Sequence, residues 1–323
     1  MNISTSLRRA KVPLALTAAV MLAASACGGG DAGSGGSGDE LSGTVKVDGS
    51  STVAPLTSAA SEFYAEEQPK VRVTVATSGT GGGFKKFCVG ETDISDASRP
   101  IKGEEIKTCE ENNIKYEQFA VANDGLSVVV SKDNDWAECL TVEQLKKIWE
   151  PGSKVNNWNQ VDPKFPNEPL KLFGAGTDSG TFDYFTEAIN GEEGASRTDY
   201  SGSEDDNVTV TGVSGTKGGM GYFGFSYYEE NADKLKLLQI DGGDGCVTPS
   251  VETVQDGTYE PLGRQLFIYP SDAGLKKPQV LDFVEFYVEN HKKIAEDSKF
   301  IPLNAEQEKE LQAALTKLKE AAK

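Results

Sequence analysis

Three short segments rich in Ser, Thr and Gly constrain the fold more than any other feature of the chain. They are DGSSTVAP (residues 48–55), SGTGGGF (residues 78–84) and GTDSGTF (residues 176–182). Each segment follows an apolar run typical of a strand and precedes apolar residues at helical spacing. A strand that turns into a helix, repeated along one chain, indicates an α/β fold.

The chemistry of these turns indicates anion binding. Unpaired amides and the macrodipole at a helix N-terminus favour an anion, and glycines let the backbone approach a ligand closely. A single turn of this kind is explained equally well by helix capping. Three of them indicate an anion cleft with two sides. Arg99, in the segment DISDASRPI (residues 93–101), either binds the same oxyanion or pairs with a surface carboxylate.

Other patterns predict further elements. The runs TVKV (44–47), VRVTVAT (71–77), LSVVVS (126–131), LKLF (170–173) and LFIY (266–269) are typical of strands. Thr141 and Gln144 form a capping box that predicts a helix after residue 141. The glycine-dense, aromatic segment 211–228 is predicted to be rich in turns and to pack closely. Residues 278–294 and 305–321 are predicted to form one helix each.

The N-terminus has the order of an export signal. Arg8, Arg9 and Lys11 precede an apolar run that ends at Cys27, which predicts a signal peptide over residues 1–26. The sequence AASAC before and at Cys27 is similar to a lipobox and predicts lipidation of that cysteine, whereas ordinary signal-peptidase cleavage is the alternative. Residues 27–40 are a Gly/Ser linker. The expected location is extracytoplasmic, anchored by lipid to the outer face of the cell membrane.

Net charge limits the classes of partner that this protein can bind. The net charge is −18, and without residues 1–26, which hold three of the 32 basic residues and none of the acidic ones, it becomes −21. Such a surface argues against nucleic acid as a partner.

The four cysteines beyond Cys27 predict two disulfides, with three pairings open. They are Cys88, Cys109, Cys139 and Cys246.

No cofactor, metal site or catalytic centre is predicted. The chain has no CxxC motif, and His291 is its only histidine. The sequence TDSGT is superficially similar to the surroundings of some serine nucleophiles, but those nucleophiles need a histidine base. A serine hydrolase therefore stays a distant alternative, and the protein is predicted not to be an enzyme.

Four segments together resemble a known family. DGSSTVAPL, SGTGGGFKKFCVGETDISDASRPI, GTDSGTFDYF and GGMGYFGFSYY occur in this order. They resemble the phosphate-binding receptor of the high-affinity phosphate ABC transporter, the PstS family, and within it the SphX-like branch. The resemblance covers nearly the whole chain after the linker. It implies a monomeric receptor that binds inorganic phosphate and delivers it to an ABC permease.

The resemblance also implies an architecture. We expect a type II periplasmic-binding-protein fold with two α/β domains and a ligand cleft between them. Domain I is expected over residues 41–120 plus 264–323 and domain II over 121–263, with crossings near 120–125 and 263–269. This division favours the pairing of Cys88 with Cys109 and of Cys139 with Cys246, because each bridge then stays inside one domain.

Site residues follow from the motifs. The resemblance implies that phosphate is bound by the three turns, through Thr52, the amide of Val53, Thr80, Ser179, Gly180 and Thr181. Ser51 and Ser78 are adjacent hydroxyls that could substitute, and Ser98 and Arg99 of the segment 93–101 are further candidates. Ser98 stands where many members of the family have an aspartate, and Ala175 where they have an arginine, which keeps another oxyanion such as sulfate open as the ligand.

A carboxylate that accepts the phosphate proton would favour phosphate over sulfate. The hypothesis is that Asp178 does this, with Asp96 as second choice. The alternative is that Asp178 caps the helix.

Overall fold

The computed structural model describes residues 41–321. The predicted signal peptide, the lipidation of Cys27 and the linker at 27–40 lie outside the described residues. Among the helices in the described part, none combines the length and the apolar character that a membrane span needs.

Strands and helices alternate through most of the described chain. The strands are β1 (Gly43–Gly49), β2 (Val71–Thr77), β3 (Ile94–Ala97), β4 (Phe119–Ser131), β5 (Cys139–Thr141), β6 (Lys171–Ala175), β7 (Ser201–Ser203), β8 (Gly219–Gly224), β9 (Leu235–Leu237), β10 (Gln239–Asp241), β11 (Cys246–Val247) and β12 (Gly263–Pro270). The helices are α1 (Ala54–Glu67), α2 (Gly79–Phe87), α3 (Gly103–Glu111), α4 (Val142–Trp149), α5 (Trp158–Val161), α6 (Gly180–Asn190), α7 (Asp206–Ser214), α8 (Phe225–Asn231), α9 (Val251–Gln255), α10 (Asp272–Leu275), α11 (Pro278–Glu289), α12 (His291–Asp297) and α13 (Ala305–Ala321).

One large mixed sheet organises the molecule. Its strand order is β2-β1-β3-β12-β4-β8-β6-β7, with β9 paired to β4, and β11-β10-β5 form a small second sheet. At each end the strands run parallel, as expected when helices connect them. In the middle, β12 and β4 run antiparallel to each other. The first half of β4 pairs with β12 and its second half with β8, so β4 joins the two ends.

The strand–turn–helix units form as their residues predict. Pro55 lies in the first turn of α1, where its missing N–H costs no hydrogen bond. Leu56, Ala60 and Tyr64 then bury one face of that helix. The capping box at α4 is confirmed, because Thr141 Oγ1 accepts from the Gln144 amide at 3.1 Å and the Gln144 side chain accepts from the Thr141 amide at 2.9 Å.

The two largest hydrophobic clusters lie on different parts of the sheet. One is built from β1, β2 and β12 with α1, α11 and α13, and its largest fully buried side chains include Tyr64, Phe119 and Tyr287. The other is built around the second half of β4 with β8, α4 and α6, and Trp149 and Trp158 lie at its centre. Each parallel end of the sheet therefore has its own core, which is the two-domain α/β architecture of a binding-protein fold.

Two predictions on secondary structure were wrong. The glycine-dense segment forms α7, the central strand β8 and α8 rather than a series of turns. Its glycines are needed because α7 lies directly on β8: a Cβ on Gly221 would come within 2.9 Å of Thr209 and Val213 side-chain atoms. The segment predicted as one helix over 278–294 breaks at Asn290, which ends α11 and begins α12.

The expected disulfide pairing is confirmed. Cys88 is bonded to Cys109, 21 residues away, and Cys139 is bonded to Cys246, 107 residues away. The first bridge ties α2 to α3 inside a buried aromatic cluster. The second ties the small sheet together, joining β5 to β11.

The longer bridge has a measurable effect on stability. In the chain-entropy model, a loop of this length stabilises the folded protein by about 5 kcal/mol. We expect Cys139→Ser/Cys246→Ser to lower the free energy of unfolding by several kcal/mol in a denaturant titration. The single variant Cys246→Ser, whose altered side chain is exposed, should lose as much, because it also opens the bridge. A loss under about 1 kcal/mol in both variants would contradict the expectation.

Candidate functional site

The first and third of the hydroxyl turns contact each other directly. Thr52 Oγ1 donates to the Gly180 carbonyl at 3.2 Å, and Ser51 Oγ donates to Asp183 Oδ2 at 2.8 Å. Gly180 is required at this contact, because a Cβ there would lie 2.7 Å from the Thr52 amide nitrogen. Two segments about 130 residues apart in sequence are thus held together by polar contacts.

A small cavity of about 10 Å³ lies beside this contact. Its volume accommodates roughly one water molecule. Its walls come from the first turn, the second turn, the end of β3, α6 with the following loop, and β12. The lining residues are Ser50, Ser51, Thr52, Gly79, Thr80, Ser98, Asp183, Tyr184, Glu187, Glu193 and Arg264.

The second turn contributes one hydroxyl to the cavity and directs another away from it. Thr80 Oγ1 lies 3.0 Å from Ser98 Oγ and accepts from the Ser98 amide at 3.2 Å, so these two hydroxyls line the cavity as a pair. Ser78 Oγ instead donates to Asp48 Oδ1 at 2.6 Å. Burial opposes ionisation of Asp48, but contacts from Lys86 and Ser78 outweigh it and lower the pKa of that carboxyl.

Arg264 is the basic residue at the cavity wall. Its Nη2 donates to Thr52 Oγ1 at 3.0 Å, and its Nε lies 3.4 Å from Asp124 Oδ2 on the neighbouring strand. The guanidinium carbon lies 3.3 Å from the ring centroid of Tyr184. Burial raises the pKa of Asp124, and the charge of Arg264 opposes that rise.

Three carboxylates also line the cavity. Asp183 and Glu187 lie on α6, and Glu193 follows that helix. Partial desolvation raises the pKa of the Glu193 carboxyl, although the residue as a whole is exposed, and the negative charges of Asp183 and Glu187 raise it further. The cavity therefore combines hydroxyls, one guanidinium and several carboxylates.

Two larger cavities adjoin the small one. A cavity of about 210 Å³ lies on the other side of the Thr52–Gly180 contact and is lined in part by Ser179, Gly180 and Thr181. Another, of about 350 Å³, shares Arg264 and Ser98 with the small cavity and includes Arg99.

Only some of the predicted phosphate-binding residues line the small cavity. Those at the small cavity are Ser51, Thr52, Thr80 and Ser98. Val53 is buried at the start of α1. Arg99 lies outside the small cavity, and its guanidinium binds the Glu105 carboxylate with both Nη atoms, at 2.9 and 2.8 Å.

The two candidate carboxylates also lie outside the cavity lining. Asp178 is exposed, and its amide donates to Glu204 Oε1 at 3.3 Å. It does not cap α6 either, because the N-cap is Ser179, whose Oγ accepts from the Thr181 amide. Asp96 is fully buried beneath the first turn, where Thr57 Oγ1 donates to its Oδ2 at 2.8 Å. Burial raises the pKa of Asp96 to about 7.

Sequence reasoning missed Arg264, Asp183, Tyr184, Glu187 and Glu193. Asp183 and Glu187 could have been found from their spacing, because they lie four and eight residues after Ser179 and therefore on one face of a helix that begins there. Arg264 had a weaker signal: it is the second residue of the segment predicted as a chain crossing. Glu193 had none, since it lies in the loop after α6.

This donor set suits a small anion that carries a proton. Hydroxyls and a guanidinium donate hydrogen bonds to oxyanion oxygens, and a carboxylate accepts one from a protonated oxygen. Within residues 41–321, no cluster of His, Cys, Asp and Glu side chains has the arrangement of a metal site. His291 does not line the cavities described above; its Nδ1 lies 2.8 Å from the Val288 carbonyl.

Comparisons with known proteins agree with this architecture. The family model of the PBP superfamily domain matches residues 34–291. Protein SphX of Synechococcus elongatus is 49% identical over 264 residues, which cover 81% of this chain and 78% of that protein. The phosphate-binding protein PstS of Staphylococcus saprophyticus is 42% identical over 292 residues, covering 90% of this chain and 89% of that protein.

A solved structure shows the same fold. The crystal structure of a possible phosphate binding protein from Planctomyces limnophilus is 47% identical and superposes with a TM-score of 0.83, covering 86% of this chain and 99% of that one. The chain therefore belongs to the PBP superfamily and, within it, to the family that includes SphX and PstS.

Proposed function

We propose that this protein is an extracytoplasmic receptor that binds inorganic phosphate in its interdomain cleft and delivers it to an ABC permease for import. It acts by reversible capture and not by catalysis. The relatives named above as phosphate-binding proteins support the choice of ligand.

One observation carries the proposal. Hydroxyls from turns far apart in the sequence, those of Ser51, Thr52, Thr80 and Ser98, converge with the guanidinium of Arg264 on one cavity. Hydroxyl and guanidinium donors replace the hydration shell of a tetrahedral oxyanion. The N-termini of α1 and α2 lie at lining residues of this cavity and add a favourable field at the same place.

Phosphate entry requires the two walls to separate. Phosphate has several times the volume of the single water molecule that fits a cavity of about 10 Å³. We therefore propose that domain I, residues 41–120 plus 264–323, and domain II, residues 121–263, move as units about β4 and β12. Hinge motion about a few strand residues is the usual mode of closure in receptors of this kind.

The contacts at the cleft support this division. Ser51–Asp183 and Thr52–Gly180 join the proposed domains, and the ligand would compete for the same hydroxyls. The two large hydrophobic clusters follow the division except at the boundary residues Val121 and Ala122, which pack with the domain I cluster, and at Ile301, which packs with the domain II cluster. Each disulfide lies within a single proposed domain, Cys88–Cys109 in domain I and Cys139–Cys246 in domain II.

The cellular setting follows from the N-terminal sequence. We propose that Cys27 is lipidated, that residues 27–40 tether a monomeric receptor to the outer face of the cell membrane, and that the closed form docks on permease subunits. Labelling of the expressed protein with a radioactive fatty acid, compared with Cys27→Ala, tests the anchor.

Titration calorimetry against several oxyanions tests the function. Purified protein, freed of phosphate that remains bound from the cells, is titrated with phosphate, arsenate, sulfate and molybdate. We expect saturable binding of phosphate, comparable binding of arsenate and no binding of sulfate. Saturable sulfate binding without phosphate binding would make the protein a receptor for another oxyanion.

Gly180→Ala tests the closed geometry. Because the new methyl group would lie 2.7 Å from the Thr52 amide nitrogen, the turns cannot approach as closely. Overpacking of this kind costs about 1–3 kcal/mol, so phosphate affinity should fall by about 5- to 150-fold. The measurement is titration calorimetry with phosphate.

The matched control is Gly103→Ala, at the start of α3, where a Cβ would meet no atom within 4 Å. Its phosphate affinity should equal that of the wild type. If Gly180→Ala also binds phosphate as tightly as the wild type, the two turns do not close on the ligand as proposed.

Variants of two aspartates test the selectivity for phosphate over sulfate. Near neutral pH phosphate keeps a proton and sulfate has none, so a carboxylate at the cavity accepts a hydrogen bond from phosphate and repels sulfate. Asp183 lines the cavity and Asp178 does not. We propose Asp183 as the acceptor in preference to the earlier hypothesis of Asp178.

We expect Asp183→Asn to reduce the ratio of phosphate to sulfate affinity by at least about tenfold, since a hydrogen bond to a charged group contributes about 1.5–3 kcal/mol. Asp178→Asn makes the same chemical change at an exposed position. If Asp178→Asn reduces the ratio and Asp183→Asn does not, the hypothesis of Asp178 is right.

A further inference from the structure

Two arginines lie near the proposed phosphate site, and their surroundings differ. Arg99 is engaged by Glu105 through both Nη atoms and also donates to the Pro100 carbonyl at 3.1 Å. It reaches the outer cavity of about 350 Å³ but not the small one. Among the described residues that line the small cavity, Arg264 is the only basic one.

Strand pairing fixes the position of Arg264 in the sheet. Arg264 lies in β12 directly opposite Asp124 of β4, in the antiparallel pairing at the middle of the sheet. The side chains are 13% and 8% exposed, so their ion pair is shielded from solvent. The Asp124 carboxylate therefore holds the near end of the guanidinium at the strand.

The other contacts of the guanidinium aim it at the cavity. Its plane packs on the ring of Tyr184, and its Nη2 donates to Thr52 Oγ1, a hydroxyl of the first turn. A guanidinium has five N–H groups in a planar fork, and the contacts with Asp124 and Thr52 involve Nε and Nη2. The fork thus has donor capacity for a tetrahedral oxyanion that takes the place of the Thr52 contact.

The positive charge of Arg264 is important because both the protein and the cavity are rich in carboxylates. The whole chain has a net charge of −18, and three carboxylates line the same cavity, those of Asp183, Glu187 and Glu193. Hydroxyls supply hydrogen bonds but no charge, so a multiply charged anion needs a cation close by. We propose that Arg264 is the cationic residue that binds the oxyanion directly, an inference that rests on the proposed function.

Four variants test the inference by titration calorimetry with inorganic phosphate, with melting temperatures measured without phosphate. Arg264→Gln removes the charge and should weaken binding by about 30-fold or more. Arg264→Lys keeps the charge without the fork and should lie between that variant and the wild type. Arg99→Gln should lose less affinity than Arg264→Gln. Arg72→Gln makes the same change at an exposed position of β2 and should bind as the wild type does.

A double variant separates direct binding from a structural role. Arg264→Gln leaves the buried Asp124 carboxylate without its cation, which alone could disturb the site. Arg264→Gln/Asp124→Asn removes both charges, so the fold keeps a neutral pair. We expect this variant to keep the melting temperature within a few degrees of the wild type and still to bind phosphate at least about tenfold more weakly.

The outcomes distinguish the inference from the proposed function. If the wild type shows no saturable phosphate binding, both are overturned. If the wild type binds and Arg264→Gln stays within about threefold of it, only the inference is overturned. Recovery of wild-type affinity in the double variant, or a larger loss in Arg99→Gln than in Arg264→Gln, also overturns it. Should Arg264→Gln not fold, Arg264→Lys and the double variant decide by the same criteria.

Discussion

The antiparallel pairing of β4 with β12 is the constraint on which the rest of the structure depends. These strands lie at the middle of the large sheet, and the chain passes between its two ends along them. Their register places Arg264 opposite Asp124 and directs both side chains to the region where the turns meet. If β12 slipped by one residue against β4, the Arg264 side chain would point to the other face of the sheet, away from Asp124. The site therefore depends on the central pairing as much as on the turns.

The close approach of Thr52 to Gly180 links this architecture to the proposed ligand capture. The contact is polar, small and dependent on the absence of a side chain at residue 180. A ligand oxygen can replace the Gly180 carbonyl as the acceptor of the Thr52 hydrogen bond, so the hydroxyl donor stays satisfied in both states. A contact of this type can open and close about a hinge, whereas a large hydrophobic interface would resist separation.

Local sequence patterns were sufficient for the strand–turn–helix units, the capping box at Thr141 and the existence of two disulfides, because each depends on neighbouring residues or on composition. They failed for β8, where Gly219 and Gly221 meet close packing by α7 rather than the needs of a turn. They also failed for Arg264 and Glu193, whose position at the cavity depends on residues far away in sequence. The choice of Arg99 over Arg264 shows the reason: a sequence shows that an arginine is present but not that Glu105 already engages it.

An acidic protein that binds an anion must obtain specificity from short-range interactions. At physiological ionic strength, charges separated by more than about 8 Å are largely screened, so the net charge of −18 weakly opposes an anion at a distance. In the proposed site, hydroxyls, helix N-termini and one guanidinium lie close to the anion and are screened much less. The neighbouring carboxylates then discriminate between anions, because an anion that retains a proton can donate to them and a fully deprotonated one cannot. Under this proposal, the same carboxylates that disfavour anions in general favour an anion that keeps a proton.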